Sequence, residues 1–271
     1  MRILLVSIFI GICCLQLDAA KIETVFVQSK CMHKKIGTII ILPDADVKAS
    51  KKYPVVYLLH GAGDNYTGWL SIEPDIASYA DLYSIIIVCV DGGSTSWYFD
   101  SPVDPKYKYE TYISKELVKY VDSLYPTIAN KSNRAITGLS MGGHGALYLA
   151  IRNQRIWGAA GSISGGVDFR PFKNNWDLPK RLGPYSTHQS HWENNTVTNM
   201  LPLLHGSKMK IIFDCGTEDF FHEGNKKLHE KMLQKNIVHE YSQRPGAHTS
   251  DYWRNSLKFH LAFFNKFFKK L

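Results

Sequence analysis

Short apolar runs of strand length recur along the chain, separated by longer amphipathic stretches. The runs are "TVFVQS", "TIIILP", "YPVVYLLHG", "SIIIVCVDG", "RAITGLS", "GAAGSISG" and "MKIIFDCG". Several contain consecutive Val and Ile residues, which is typical of strands covered on both faces of a mainly parallel sheet. The alternation of strands and helices predicts an α/β fold, a three-layer sandwich whose ligands bind beyond the carboxyl ends of the strands.

Helical periodicity follows several of these runs. The helix-like segments include "YETYISKELVKYVDSLYP", "HGALYLAIRN" and "KKLHEKMLQKN". The final segment, "SLKFHLAFFNKFFKKL", places apolar side chains at three- or four-residue spacing, namely Leu257, Leu261, Phe264, Phe268 and Leu271. Because the α/β order requires a closing helix there, we expect this helix to pack against the sheet. A helix on a membrane surface is the alternative.

The first twenty residues have the pattern of a secretory signal peptide. Arg2 gives a positive start, residues 3–17 are almost wholly apolar, and Ala19 and Ala20 offer a cleavage site. The run is shorter than the roughly 20 apolar residues that a spanning helix needs, so stable membrane insertion is not expected. We predict a secreted or periplasmic protein, with lipid anchoring through Cys13 or Cys14 as a weaker alternative. Residues 21–271 are then interpreted as a single domain.

Charge and cysteine content narrow the class of protein. The net charge is +8, but the lysines are scattered and form no nucleic-acid-binding motif, so a solvated surface is favoured. Cys31, Cys89 and Cys215 remain after cleavage, too few for a disulfide framework. We therefore expect buried thiols and no nucleic-acid partner, and a homo-oligomer is left open.

One polar stretch, residues 165–201, interrupts the alternation after the sixth strand-like run. A connection this long is more often a functional loop or cap than a plain turn. Its aromatic side chains, above all Trp176 and Trp192, are candidates to line a substrate groove. Anchoring the insertion to the body of the protein is an equal alternative for these side chains.

Ser140 is the candidate nucleophile. It lies in Gly138-Leu139-Ser140-Met141-Gly142, between a strand-like and a helix-like run. This G-x-S-x-G pattern is the elbow of a sharp strand-to-helix turn, in which the glycines make room and the serine hydroxyl is exposed at the tip of the sheet. The helix amides that follow would lie beneath an anion forming on the substrate.

A serine nucleophile requires a base and an acid that orients the base, and in this topology they follow in the order acid, then histidine. His248, between the last strand-like run and the final helix, is the candidate base. The run "FDCGTEDFF" offers three acids. Asp219 is favoured because it lies past the strand, with Glu218 and Asp214 as alternatives.

Two backbone amides are expected to form an oxyanion hole, because preorganised donors of this kind stabilise the developing negative charge. One is the amide of Met141, directly after the nucleophile. The other is expected from the loop "LLHGAGDN", where Ala62 is our choice and Gly61 and Gly63 are its neighbours. A plain turn is the alternative for this loop.

These motifs together resemble the esterase D family of α/β-hydrolases. The resemblance rests on "YLLHGAGDNYTGWL", "GLSMGGHGAL", "FDCGTEDFF" and "RPGAHTSDYW", and extends roughly from Thr38 to Phe264. The family includes feruloyl, acetyl-xylan and tributyrin-type esterases, S-formylglutathione hydrolases and mycolyltransferases. The resemblance implies an α/β-hydrolase fold and the same five site residues, and it strengthens Asp219 over Asp214. It also places Trp97 and Tyr98, in the loop "GGSTSWYFDSP", at the mouth of the active site, although packing is an equal role for both.

The resemblance implies a serine carboxylesterase that needs no metal or organic cofactor. Export favours an extracellular ester over the cytosolic S-formylglutathione. Short acyl or hydroxycinnamoyl esters, as small molecules or on plant polysaccharides, are therefore the expected substrates. The alternatives are an acyltransferase that uses the same acyl-enzyme and a non-catalytic binding protein of the same fold. All the triad residues are present, which disfavours the last of these.

Overall fold

The computed structural model describes residues 20–44 and 51–269. The predicted signal peptide lies outside the described residues except for Ala20, and so do Cys13, Cys14 and Leu271. The signal peptide, the cleavage site and the lipid-anchoring alternative therefore stay predictions.

Eight strands of the described ranges form one sheet. They are β1 (Lys21–Ser29), β2 (Lys34–Leu42), β3 (Val55–Leu59), β4 (Ile86–Val90), β5 (Arg134–Gly138), β6 (Ala159–Ile163), β7 (Lys210–Gly216) and β8 (Glu240–Arg244). Their order across the sheet is β1-β2-β4-β3-β5-β6-β7-β8. The pairs β1–β2 and β2–β4 are antiparallel, and every pair from β4 to β8 is parallel. The predicted mainly parallel sheet is confirmed.

The helices connect these strands. In chain order they are α1 (Gly68–Ile72), α2 (Ile76–Tyr83), α3 (Tyr109–Thr111), α4 (Val118–Leu124), α5 (Met141–Arg152), α6 (Leu178–Leu182), α7 (Gln189–Asn195), α8 (His222–Gln234) and α9 (Ser250–Phe268). A π-helical turn, Tyr112–Leu117, joins α3 to α4. The amphipathic segments of the sequence thus correspond to α3–α4, α5, α8 and α9.

Alternate side chains of the central strand β3 face two helical layers. Val55, Tyr57 and Leu59 belong to a buried cluster that includes residues of α5 and α8. Val56 and Leu58 belong to a second cluster, which includes residues of α1, α2 and α9. Burial on both faces explains why these strands are continuously apolar. The arrangement is the predicted three-layer sandwich.

The last helix, α9, closes one face of the sheet. Leu257, Leu261, Phe264 and Phe268 are all buried in the second cluster. These contacts favour the predicted packing role over a membrane-surface role. Within residues 20–44 and 51–269, no helix has the length and apolar character to span a membrane.

The polar stretch 165–201 lies between β6 and β7 and contains α6 and α7. Its Phe169, Trp192 and Val197 are buried in the same cluster as the apolar side chains of α5. Much of the insertion therefore packs onto the body of the molecule through apolar side chains. Its role as a cap over the site stays a prediction.

The three cysteines of the described ranges are free thiols. Cys89 on β4 and Cys215 on β7 are buried, and Cys31 is half-buried. Because these thiols form no disulfide within residues 20–44 and 51–269, burial of apolar surface on the two faces of the sheet is the main stabilising contribution there.

Candidate active site

Ser140 occupies the turn between β5 and α5. Its backbone has φ 56° and ψ −118°, a conformation that is strained for a residue with a side chain. A Cβ at Gly138 would lie 2.6 Å from the carbonyl oxygen of Leu59, and one at Gly142 would lie 2.6 Å from that of His60. Both glycines are needed because the turn passes directly against the end of β3. The sharp elbow predicted from the sequence is the observed backbone.

A continuous hydrogen-bond chain links the predicted nucleophile, base and acid. The Ser140 hydroxyl lies 2.9 Å from Nε2 of His248, and Nδ1 of His248 lies 2.7 Å from Oδ2 of Asp219. The other oxygen of Asp219 accepts the amide N–H of Phe221 at 2.8 Å. In this arrangement Nδ1–H donates to the carboxylate and Nε2 accepts the serine proton. The imidazole is thus oriented for removing that proton.

The two alternative acids make other contacts. Asp214 is buried and accepts hydrogen bonds from Ser256 at 2.9 Å and His260 at 3.1 Å, with Arg244 at 3.3 Å. Glu218 is exposed. The structure therefore brings Asp219, and neither alternative, to His248.

The loop after β3 lies beside the nucleophile. A Cβ at Gly61 would be 3.5 Å from the Cβ of Ser140. The amide of Met141 is the first of helix α5, directly after Ser140. In the part of the chain that the structure describes, no hydrogen bond uses the N–H of Ala62 or Met141. Both predicted oxyanion donors are therefore available to a ligand.

His60 lies beside the candidate site and makes contacts that the sequence did not predict. Its Nδ1–H donates to the carbonyl of Gly61 at 2.7 Å, and its Nε2 accepts the N–H of Gly92 at 2.9 Å. The hydroxyl of Tyr98 donates to the carbonyl of His60 at 2.9 Å. The buried imidazole therefore connects the loop that carries Ala62 to the loop after β4. The position of His60, directly before Gly61 in the predicted oxyanion loop, was the feature of the sequence that could have pointed to these contacts.

Three of the four predicted substrate-binding aromatics are buried. Trp97, Tyr98 and Trp192 are 1%, 0% and 0% exposed. The indole of Trp192 donates to the carbonyl of Gly183 at 2.9 Å, and that of Trp97 donates to the carbonyl of Trp176 at 3.2 Å. A fully buried side chain offers no surface to a substrate, so the substrate-binding prediction for these three is replaced by a packing role.

Trp176 keeps part of its surface exposed and reaches the site through Phe220. The two rings stack, with centroids 5.9 Å apart and planes at 20°. Phe220 is 51% exposed, and its centroid is 4.3 Å from that of His248. The sequence reasoning passed over Phe220, although it directly follows the candidate acid.

His144, on the elbow's own helix, is buried among aromatic rings. Its Nε2–H donates to the carbonyl of Asn195 at 2.9 Å, which joins α5 to the insertion. Burial lowers the pKa of His144 from 6.5 to about 4. A neutral imidazole is therefore an internal anchor of the insertion near neutral pH.

The described ranges, 20–44 and 51–269, contain no group of three or more His, Cys, Asp and Glu side chains that could hold a metal ion. His229 and His239 pair with each other at 2.8 Å, and His222 pairs with Gln243 at 2.9 Å. The chemistry that this arrangement offers is that of an activated serine beside two free backbone amides.

Known proteins and solved structures are similar to this chain over most of its length. A model of the Esterase family matches residues 29–264. An acetyl esterase from Caldicellulosiruptor saccharolyticus is 25% identical over 245 residues, which cover 83% of this chain and 91% of that protein. The S-formylglutathione hydrolase of Bos taurus is 26% identical over 231 residues, 76% of this chain and 77% of that protein. A solved ferulic acid esterase has a TM-score of 0.78 and 25% identity, and the match covers 92% of this chain and 100% of the other.

Proposed function

Because the chain belongs to the Esterase family, the esterase D-like group that its motifs resemble, we propose that it is a serine carboxylesterase acting through Ser140, His248 and Asp219. The observation that carries this proposal is the hydrogen-bond chain of 2.9 and 2.7 Å from the serine hydroxyl to the buried carboxylate. That chain supplies the base that a serine hydroxyl needs to act as a nucleophile near neutral pH.

In the acylation step, the Ser140 oxygen attacks the ester carbonyl carbon while its proton passes to Nε2 of His248. The carbonyl oxygen becomes an anion and accepts hydrogen bonds from the backbone N–H groups of Ala62 and Met141. When this intermediate collapses, the bond to the alcohol oxygen breaks, and His248 returns the proton to that oxygen. The products are a free alcohol and an acyl group on Ser140.

In the deacylation step, water takes the place of the alcohol. His248 removes a proton from the water, whose oxygen attacks the acyl carbon, and the same two amides stabilise the anion. Collapse breaks the bond to Ser140, and the proton on His248 returns to the serine oxygen. Asp219 holds the imidazole through its Nδ1–H and stabilises the transient imidazolium.

The proposed substrates are short acyl or hydroxycinnamoyl esters, including esters on carbohydrates. The support is the similarity to an acetyl esterase and to a ferulic acid esterase. The S-formylglutathione hydrolase of Bos taurus is about as similar in sequence, with 26% identity against 25% for the acetyl esterase. The leader-like residues 1–20 favour an ester found outside the cell over S-formylglutathione, because S-formylglutathione is a thioester of the cytosol.

Secretion or export to the periplasm is part of the proposal. The support is the apolar run of residues 3–17, followed by Ala19 and Ala20 as a cleavage site, before a strand that begins at Lys21. Expression of the full chain in a secreting host, followed by N-terminal sequencing, should give a mature protein that begins at Lys21. A product that keeps Met1 would contradict export by cleavage.

The activity is tested with a small ester panel: p-nitrophenyl acetate and butyrate, methyl ferulate, and acetylated xylan. Free acid should form, and in the presence of a sugar acceptor it should exceed acylated sugar. Acylated sugar as the main product would instead assign acyl transfer.

The role of the serine is tested by Ser140→Ala, which should lower kcat by about 10⁶. The exposed Ser71 on α1 provides the control Ser71→Ala, which should retain full activity. A folded Ser140→Ala protein that hydrolyses the panel at nearly the native rate would remove the serine mechanism.

A further inference from the structure

Three partly or largely exposed aromatic rings form a continuous surface beside His248. We call Phe172, Trp176 and Phe220 the aromatic platform. The ring of Phe172 is 5.3 Å from Trp176 and 6.1 Å from Phe220, and Trp176 stacks on Phe220. Phe220 in turn is 4.3 Å from the imidazole of His248. The platform thus joins the insertion to the catalytic histidine.

The mechanism determines which part of an ester faces this surface. The carbonyl oxygen must face the amides of Ala62 and Met141, because those donors stabilise the anion. The leaving alcohol oxygen must instead lie within hydrogen-bond reach of Nε2 of His248, which protonates it. The alcohol portion therefore lies on the His248 side, where Phe220 is the nearest largely exposed ring.

Packing alone does not account for the position of Phe220. Its neighbour Phe221 is 3% exposed and lies within 5.6 Å of Phe172, Trp176 and His248, so it already anchors this loop. Phe220 is 51% exposed and lies against the imidazole of His248, with the ring centroids 4.3 Å apart. An aromatic ring left half exposed beside a catalytic group is an apolar surface that a ligand ring can contact.

We propose that the aromatic platform binds the leaving alcohol and selects alcohols whose six-membered ring has an apolar face, either a pyranose or an aryl group. Trp176 and Phe220 lie near-parallel, with planes at 20°, and the part of each ring that stays exposed offers such a ring an apolar aromatic surface to contact. This inference rests on the proposed esterase function and adds a specificity-determining role for Phe220.

The test compares the native enzyme with Phe220→Ala and Phe220→Leu on two ester sets. The first set keeps the acetyl group and varies the alcohol: ethanol, phenol and methyl xylopyranoside. The second set keeps methanol and varies the acid: acetic, butyric and ferulic. The matched control is Phe259→Ala, because Phe259 is 55% exposed on α9 and packs over Arg244, outside the platform.

In the first set, Phe220→Ala should lower kcat/KM for the phenyl and xylosyl acetates about five- to tenfold and leave ethyl acetate within about twofold. Phe220→Leu should show a partial loss on the same substrates, because it keeps apolar contact without a flat face. The single-turnover deacylation rate of the acetyl-enzyme should be unchanged, since the alcohol has already left. A loss confined to the phenyl or the xylosyl ester identifies the aryl or the pyranose source.

Two results would overturn the assignment. One is an equal loss on ethyl acetate, which would mean that Phe220 acts only by holding His248. The other is a loss that follows the acid in the second set, which would place the platform on the acyl side. Failure of the esterase proposal itself would look different, because the native protein would hydrolyse no ester of either set.

Discussion

At the scale of single residues, two aspartates five positions apart have different surroundings. Asp219 contacts the imidazole of His248, and Asp214 contacts Ser256 and His260 inside the molecule. His260 also contacts the hydroxyl of Thr137 at 2.8 Å. Asp214 therefore belongs to a buried network that joins β5, β7 and α9, whereas Asp219 belongs to the site.

Asn substitutions separate these two roles. Asp219→Asn should lower kcat by about 10⁴, because the amide favours the wrong imidazole tautomer, while the thermal unfolding temperature changes little. Asp214→Asn should retain most activity and lose about 3 kcal/mol of stability, because it removes the charge from a buried pair. Ester hydrolysis and thermal unfolding measured on both variants decide the assignment. An inactive Asp214→Asn protein of native stability would reverse it.

The buried His144 makes a residue-scale prediction about pH. Its pKa is about 4 in the folded protein, against the ordinary value of 6.5, so between these values the unfolded chain binds a proton that the folded chain does not. The free energy of unfolding is therefore highest above pH 6.5 and falls as the pH drops toward 4. Protonation of His144 alone accounts for a loss of about 3 kcal/mol.

Urea unfolding of the native protein and His144→Gln across this range measures the effect. The Gln amide keeps a donor for the Asn195 carbonyl and does not titrate. The native protein should lose stability more steeply on acidification than the variant. If the free energy of unfolding fell equally with pH in both proteins, the imidazole of His144 would take up its proton in the folded state as readily as in the unfolded chain.

At the scale of elements, the elbow depends on how closely β5, α5 and β3 approach one another. A Cβ at Gly142 would clash with the carbonyl oxygens of Leu59 and His60. Gly142→Ala should therefore destabilise the protein by at least about 2 kcal/mol and displace the Ser140 hydroxyl. Gly224 on α8 is the matched control, because a Cβ added there would lie 3.8 Å from its nearest neighbour, the Cβ of Asp168.

Gly224→Ala should stabilise the protein by roughly 0.5–1 kcal/mol, since Ala loses less conformational entropy than Gly in a helix. Chemical unfolding and ester hydrolysis, measured side by side, give the comparison. Equal stability of the two variants would mean that the elbow tolerates a wider separation of β3 and α5.

At the scale of the whole molecule, one buried arginine joins the insertion to the loop after β4. Arg181 on α6 donates to the carbonyl of Thr95 and to the carboxylate of Asp104, each at 3.2 Å, and lies 3.5 Å from the ring centroid of Tyr107. Removing it takes the charged partner from the Asp104 carboxylate and the side-chain donor from the Thr95 carbonyl.

Arg181→Ala should cost about 3 kcal/mol and make residues 165–201 more sensitive to limited proteolysis. The exposed Arg155 provides the control Arg155→Ala, for which both quantities should stay native. Cleavage at the native rate in Arg181→Ala would show that apolar burial alone holds the insertion in place.

The sequence by itself determined the features that are encoded locally. Continuous Val and Ile predicted strands buried on both faces, and the glycines around Ser140 predicted the elbow, because both depend on backbone conformation and nearest neighbours. The order of the motifs along the chain also predicted His248 as the candidate base and favoured Asp219 as its partner, and the structure places the two side chains 2.7 Å apart. The short helices α6 and α7 of the insertion were not predicted, since tertiary contacts hold them.

Only the tertiary structure decided which polar groups pair and which aromatic rings remain exposed. Ser140 and His248 are 108 residues apart in the chain, and their contact exists only when the sheet brings β5 and the loop after β8 together. Trp97 and Phe220 look alike as apolar residues next to candidate motifs, yet one is 1% and the other 51% exposed. Burial depends on neighbours distant in sequence, so it follows from the completed fold and from no local pattern.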